Sequence, residues 1–121
     1  MNRATIDGFL PLTPITFHVL LSLVDGVRHG YGIKRDVEDR TAGAIRLGAG
    51  TLYEGIQRME RKGFLAESGP PPDAETEPNA RWRFYAITKL GQRVLEAELT
   101  RLEADVRFAR GKLETSKWRQ A

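Results

Sequence analysis

Apolar positions at helical spacing predict four helices, two of which lie before residue 44. The first helix is predicted to begin at Thr13, because the threonine hydroxyl can cap a helix and Pro14 suits the first helical position. It is predicted to end near residues 25–26. Its apolar face is expected to comprise Phe17, Leu20, Leu21 and Val24. The second begins between His29 and Tyr31, directs Ile33 and Val37 inward and ends at residues 41–43.

The stretch RLGAGTLYEGIQRMERKGFLAE, residues 46–67, predicts the third helix over residues 50–62. Leu52, Ile56 and Met59 recur at i, i+4 and i+7 and form an apolar stripe, and Gly63 suits the C-terminal cap. The other side carries hydrogen-bonding and charged groups: Gly50, Glu54, Gln57 and Arg61, flanked by Tyr53 and Arg58. A solvated face explains the charges alone, whereas a nucleic-acid contact explains the charges, the tyrosine and the glycines together.

Two runs with strand character follow, FLAES at residues 64–68 and RWRFYAI at residues 81–87. The connector at residues 69–80 contains four prolines and three acidic residues, which predicts a mobile, exposed loop. The pattern therefore indicates a β-hairpin with a long tip. AIRL, residues 44–47, is short and β-branched and is predicted to form a stub of strand.

The last helix is predicted to begin after Thr88 and to continue to about residue 115. Its apolar residues are spaced alternately by four and three positions, which is the heptad seam of a paired helix. The seam comprises Leu95, Leu99, Leu102, Val106, Ala109 and Leu113. Such a seam either forms a dimer interface or folds back on its own domain, and we expect a dimer because a reader of palindromic DNA needs a twofold axis.

Three helices followed by a hairpin are the outline of a winged helix-turn-helix. The predicted fold class is mainly α with a small β-hairpin wing (α+β), a winged helix-turn-helix plus a long C-terminal dimerisation helix. The expected organisation is an N-terminal arm at 1–12, a DNA-binding domain at 13–87 and a dimerisation helix at 88–121.

Composition narrows the function classes. The 19 Lys and Arg residues against 16 Asp and Glu give a net charge of +3, a mild indication of a polyanionic partner. The absence of cysteine excludes disulfides, thiolate zinc sites and thiol catalysis. The longest apolar run, residues 19–24, is far too short to cross a bilayer, and the N-terminus lacks signal-peptide features. A cytoplasmic protein with no membrane partner is expected.

The sequence predicts no enzyme, no metal and no cofactor. His18 and His29 are the only histidines, no HxxxH or HExxH motif occurs, and no pair of carboxylates stands out. The glycine pairs at residues 30 and 32 and at residues 48 and 50 are not followed by the GK[ST] of a phosphate-binding loop.

A recognition helix would place its N-terminal half against base edges in the major groove. Glycines would admit phosphate at its start, hydroxyls would donate to phosphate, and Gln57 and Arg58 would contact bases, with Arg61 suited to the backbone or solvent. On the wing, Arg81 and Arg83 share one strand face, and Trp82 on the other face is predicted to lie in the core. Tyr31 suits either a phosphate contact or packing at its helix start. The predicted DNA-binding residues are Tyr31, Gly50, Thr51, Tyr53, Gln57, Arg58, Arg61, Arg81 and Arg83.

The segments LTPITFHVLLSL, HGYGI, LGAGTLYEGIQRMERKGFL and RWRFYAITKLGQRVL resemble the PadR-type winged-helix transcriptional regulators over roughly residues 11–110. The short tail resembles the compact subgroup with a single C-terminal helix. The resemblance implies a DNA-binding homodimer, usually a repressor, with paired C-terminal helices and helix three in the major groove. It implies that Tyr31, Thr51, Tyr53 and Arg83 occupy positions that meet DNA. Glu54 departs from the basic or small residue that usually follows TLY.

The expected partners are therefore a second copy of the chain and a pseudo-palindromic operator in double-stranded DNA. The resemblance also allows a small aromatic effector, with Phe108 and Trp118 as candidate contacts, although an interface or surface position suits each of them better. The alternative function is a winged-helix protein-interaction module that dimerises without binding DNA, which the small net charge and Glu54 favour.

Overall fold

The computed structural model describes residues 2–71 and 83–116. Its elements in chain order are α1 (Arg3–Asp7), α2 (Pro14–Ser22), β1 (Arg28–His29), α3 (Gly30–Arg40), α4 (Ala49–Lys62), β2 (Leu65–Ser68), β3 (Phe84–Ile87) and α5 (Lys89–Thr115). The strands form one antiparallel sheet in the order β1-β3-β2. The predicted fold class, mainly helical with a small wing and a long C-terminal helix, is confirmed.

Local capping chemistry sets most helix boundaries. The Thr16 N–H donates to Thr13 Oγ1 at 3.2 Å, and Pro14 occupies the first turn of α2, as expected. At the end of α4, Gly63 adopts a φ of 82°, a left-handed conformation that glycine reaches without a steric penalty. The predicted ends of α3 and α4 lie within three residues of those observed.

The predicted strand at residues 44–47 is wrong. These residues form an irregular connection that buries Leu47, and the third strand is instead β1, where Arg28 and His29 pair with Tyr85 and Phe84. A two-residue strand is defined by its hydrogen-bonded partner, and that partner lies more than fifty positions away. Local β propensity could not identify it.

The predicted apolar face of α2 is also partly wrong. Val19, Leu20 and Leu23 lie in the core, Phe17 and Leu21 are only partly buried, and Val24 is 54% exposed. Because α2 ends at Ser22, Val24 lies in the turn beyond the helix and no longer follows its periodicity. The remaining core side chains come from α3, α4 and the sheet, as the stripes Ile33, Val37 and Leu52, Ile56, Met59 predicted.

The start of α5 crosses close to the end of α4. The Thr88 hydroxyl accepts the Gly91 N–H at 3.0 Å and donates to the Gly63 carbonyl, which joins the two helix ends. A Cβ at Gly91 would lie 2.0 Å from the Phe64 carbonyl oxygen, so only glycine allows this approach.

The N-terminal arm packs on the domain and contains the short helix α1, which the sequence pattern did not indicate. Phe9 meets Phe64 edge to face, with ring centroids 4.9 Å apart. The Leu12 N–H donates to Glu98 Oε2 at 2.7 Å, which ties the arm to α5. In the described part of the chain, no helix is long and apolar enough to cross a membrane.

Candidate nucleic-acid interface

Helix α4 has one buried and one exposed side. Leu52, Gly55, Ile56 and Met59 are buried against the rest of the domain. The six residues of α4 that were predicted to contact DNA are all exposed: Gly50, Thr51, Tyr53, Gln57, Arg58 and Arg61. The folded chain thus presents the predicted set on one continuous outer surface.

The N-terminus of α4 is open. Gly48 occupies the N-cap position and supplies no side-chain cap, and the first intrahelical bond runs from the Leu52 N–H to the Gly48 carbonyl at 2.9 Å. A Cβ at Gly48 or Gly50 would meet no heavy atom of the described residues within 4 Å. The amides of this first turn and the helix dipole therefore favour an anion that approaches from outside.

Tyr53 connects α4 to the start of α3. Its ring lies over Gly30, where an added Cβ would be 3.0 Å from the Tyr53 hydroxyl oxygen and 3.3 Å from the adjoining ring carbon. The next residue, Tyr31, is 60% exposed. The two tyrosines predicted to contact phosphate therefore come from neighbouring helices that meet at Gly30.

The described part of the wing carries one of its two predicted arginines. Arg83 is exposed just before β3, and its Nε lies 3.5 Å from Glu67 Oε1 on β2. Both side chains are largely exposed, so the ion pair is weak and leaves Arg83 available to another anion. Arg81 and Trp82 lie outside the described residues.

Acidic side chains also border the surface. Glu54 is exposed and has no ion-pair partner within 4.0 Å among the described residues. Burial raises the pKa of the Tyr85 hydroxyl, and the negative charges of Glu60 and Glu67 raise it further. The Tyr85 side chain therefore stays neutral near physiological pH and contributes packing rather than charge.

Arg35 and His29, two residues that contact Tyr31 at the candidate interface, were not identified from the sequence. The Arg35 guanidinium carbon lies 6.0 Å from the Tyr31 ring centroid, and their i, i+4 spacing on α3 could have indicated this contact. His29 caps α3 through its Nδ1, which accepts the Gly32 N–H at 3.0 Å. Because histidine is not among the preferred capping residues, the sequence offered no clear signal for that role.

The predicted seam on α5 divides into two parts. Leu95 is 4% exposed and packs into the core of its own domain, so its assignment to a dimer interface is wrong: this apolar residue, about two turns into α5, is covered by the winged domain. Leu102 is half-buried, Ala109 is exposed, and Leu99, Val106 and Leu113 are 41%, 52% and 43% exposed. The part of the seam available to another helix thus begins at Leu99.

Comparison with known proteins identifies the family of the chain. The model of the Transcriptional regulator PadR-like family matches residues 19–97. An uncharacterized 37.1 kDa protein in transposon TN4556 of Streptomyces fradiae is 34% identical over 80 residues, which are 66% of this chain and only 20% of that protein.

Solved structures share the fold at low sequence identity. A transcriptional regulator from Clostridium thermocellum has a TM-score of 0.65 at 19% identity, covering 92% of this chain and 96% of that one. Bacillus subtilis PadR, solved in complex with operator DNA, has a TM-score of 0.61 at 17% identity, covering 74% of this chain and 48% of that one. Since the family model spans most of the winged domain and the start of α5, the chain belongs to the PadR-like family of transcriptional regulators, which are DNA-binding proteins and not enzymes.

Proposed function

We propose that this regulator is a homodimeric repressor that acts in the cytoplasm and binds a pseudo-palindromic operator with α4 of each protomer in the major groove. The observation that carries the proposal is the outer surface of α4, where an open N-terminus and six exposed candidate residues lie opposite a fully buried stripe. Such a helix packs its apolar side against its own domain and leaves its other side free to bind a polyanion.

The proposed contacts fall into two classes. Gly50, Thr51 and Tyr53 meet phosphates near the start of α4, and Gln57 and Arg58 contact base edges one turn further on. Phosphate contacts from the flanks come from Tyr31 and Arg61 and from the wing arginines Arg81 and Arg83. Bacillus subtilis PadR, which shares the fold, was solved in complex with operator DNA, and this supports DNA as the partner.

Dimerisation is proposed through α5 from Leu99 onward. A twofold axis along paired α5 helices would present two α4 helices to successive major grooves, with half-sites about 34–36 Å apart. An effector of small aromatic character remains a prediction of the family resemblance, as does repression rather than activation.

A dimeric protein-interaction module is the second candidate. The exposed, unpaired Glu54 and the net charge of +3 favour it, because a carboxylate on the outer surface of α4 opposes nearby phosphates. Such a module would bind no DNA at physiological salt.

The two candidates are separated by selecting DNA from a randomised duplex library with the purified protein and sequencing what is retained. We expect an enriched inverted repeat with half-site centres about 10–10.5 base pairs apart, and an affinity that falls steeply with salt. The matched control is the double variant Gln57→Ala/Arg58→Ala, which should enrich no repeat. Failure of the wild-type protein to enrich any sequence would favour the interaction module, and enrichment of the same repeat by the variant would remove α4 as the reader.

A further inference from the structure

His29 lies at the junction between strand β1 and helix α3. It is the last residue of β1 and pairs with Phe84 of β3, and it is also the N-cap of α3. Its backbone thus belongs to the sheet, whereas its side chain is directed to the helix.

The imidazole contacts both the start of α3 and the sheet. Nδ1 accepts the Gly32 N–H at 3.0 Å, which satisfies an amide of the first turn of α3. The ring meets Phe84 edge to face, with centroids 5.6 Å apart and planes inclined at 81°. The first contact stabilises the helix start, and the second fixes the ring against the root of the wing.

The same ring supports Tyr31. The two rings are nearly parallel, with an interplanar angle of 11° and centroids 6.4 Å apart, and the Arg35 guanidinium lies near the Tyr31 ring. Although Tyr31 is largely exposed, neighbouring side chains therefore restrict its orientation. A side chain restricted before binding loses less conformational freedom when it contacts a ligand.

We propose that His29 is a positioning residue for DNA binding, whose ring holds Tyr31 in the orientation from which its hydroxyl donates to a phosphate. This inference rests on the proposed function. The capping bond that Nδ1 accepts is a separate contribution of the same side chain to the stability of α3. The two contributions can be separated because they use different parts of the imidazole.

Two substitutions make that separation. His29→Asn keeps an oxygen that can cap α3 and removes the ring, whereas His29→Phe keeps a ring of similar size and removes the cap. The probe is a fluorescein-labelled duplex that carries the repeat selected by the wild-type protein, measured by anisotropy. We expect His29→Asn to raise the Kd about 3- to 10-fold with little change in Tm.

His29→Phe should show the opposite pattern, with a Kd within about 2-fold of wild type and a Tm lowered by about 4–8 °C. The control is His18→Asn, which alters the other histidine, on α2, where it contacts Arg40. This variant should leave the Kd unchanged.

A double-mutant cycle tests whether His29 acts through Tyr31. In a Tyr31→Ala background, His29→Asn should produce no further loss of affinity. Full additivity of the two losses, wild-type affinity of His29→Asn, or equal losses for His29→Asn and His29→Phe would each overturn the inference. In all three cases the wild-type protein still binds the duplex, so the outcome differs from failure of the proposed function, in which the wild-type protein selects no duplex.

Discussion

Helix α4 and the outer half of α5 are both amphipathic, but only α4 has its apolar side buried by its own domain. The apolar stripe of α4 is covered completely by its own domain, and the residues that remain outside are polar residues, charged residues of both signs, glycine or alanine. In α5, every residue from position 103 to 115 is exposed, and the apolar residues Val106 and Leu113 are among them. The difference is what the two proposed partners require, a polyanion for α4 and a second apolar helix for α5.

The largest expected effect comes from placing a charge on the exposed seam. Leu99→Asp should convert the dimer to a monomer, because an unpaired buried carboxylate costs about 3–5 kcal/mol and a symmetric interface contains two copies. Light scattering measures the change in mass. Ala104→Asp introduces the same charge on another side of α5 and should leave the dimer intact. Persistence of the Leu99→Asp dimer would remove the seam as the interface.

The buried stripe of α4 should govern folding and not association. Ile56 is fully buried, so Ile56→Ala should lower the free energy of unfolding by about 2–5 kcal/mol through lost contacts and a residual cavity. Urea denaturation at fixed protein concentration measures this loss. The neighbouring exposed residue provides the control, since Gln57→Ala should change stability by no more than about 0.5 kcal/mol. A similar loss for both variants would contradict the assignment of the two sides.

The outer side of α4 should govern affinity and not folding. Arg58→Ala should weaken binding to the selected duplex by about 1–3 kcal/mol if the guanidinium contacts a guanine, with the unfolding curve unchanged. Arg107→Ala removes another exposed arginine, on α5, and should alter the Kd little. Equal losses for the two variants would show that α4 acts only through general positive charge.

The smallest expected effect is on the pH dependence of stability, through the Glu98 carboxylate that joins α5 to the N-terminal arm. Glu98 is 2% exposed, accepts the Leu12 N–H and forms an ion pair with Arg101. The hydrogen bond from Arg101 holds the pKa of Glu98 below its ordinary value, and the bond from Leu12 acts in the same direction, against the effect of burial. Its contribution to stability is therefore fully present above its ordinary, unfolded-state pKa and is lost as pH falls through the lower folded-state pKa.

The free energy of unfolding of Glu98→Gln should accordingly lie below that of wild type at neutral pH, and the difference should shrink as the solution is acidified through that range. Urea titrations at a series of pH values measure it. Glu103→Gln, on the exposed part of the same helix, should follow the wild-type profile. A difference between wild type and Glu98→Gln that is independent of pH would show that the negative charge of Glu98 does not stabilise the fold.

The sequence by itself determined the features that depend on neighbours within a turn or two. Thr13, Thr88 and Gly63 act as predicted at helix ends because a cap bonds amides or carbonyls of its own helix. The stripe Leu52, Ile56, Met59 was predicted because helical geometry places those positions on one side. The exposed set on α4 follows from the same geometry as the complement of that stripe.

The tertiary structure alone decided which distant segments meet. Strand β1 depends on pairing with β3, Leu95 depends on how far the domain covers α5, and Tyr53 reaches Gly30 only because α3 and α4 cross there. The contact between Glu98 and Leu12 likewise joins residues 86 positions apart. Such contacts are governed by packing of the whole domain, and the local periodicity of either segment carries no information about the other.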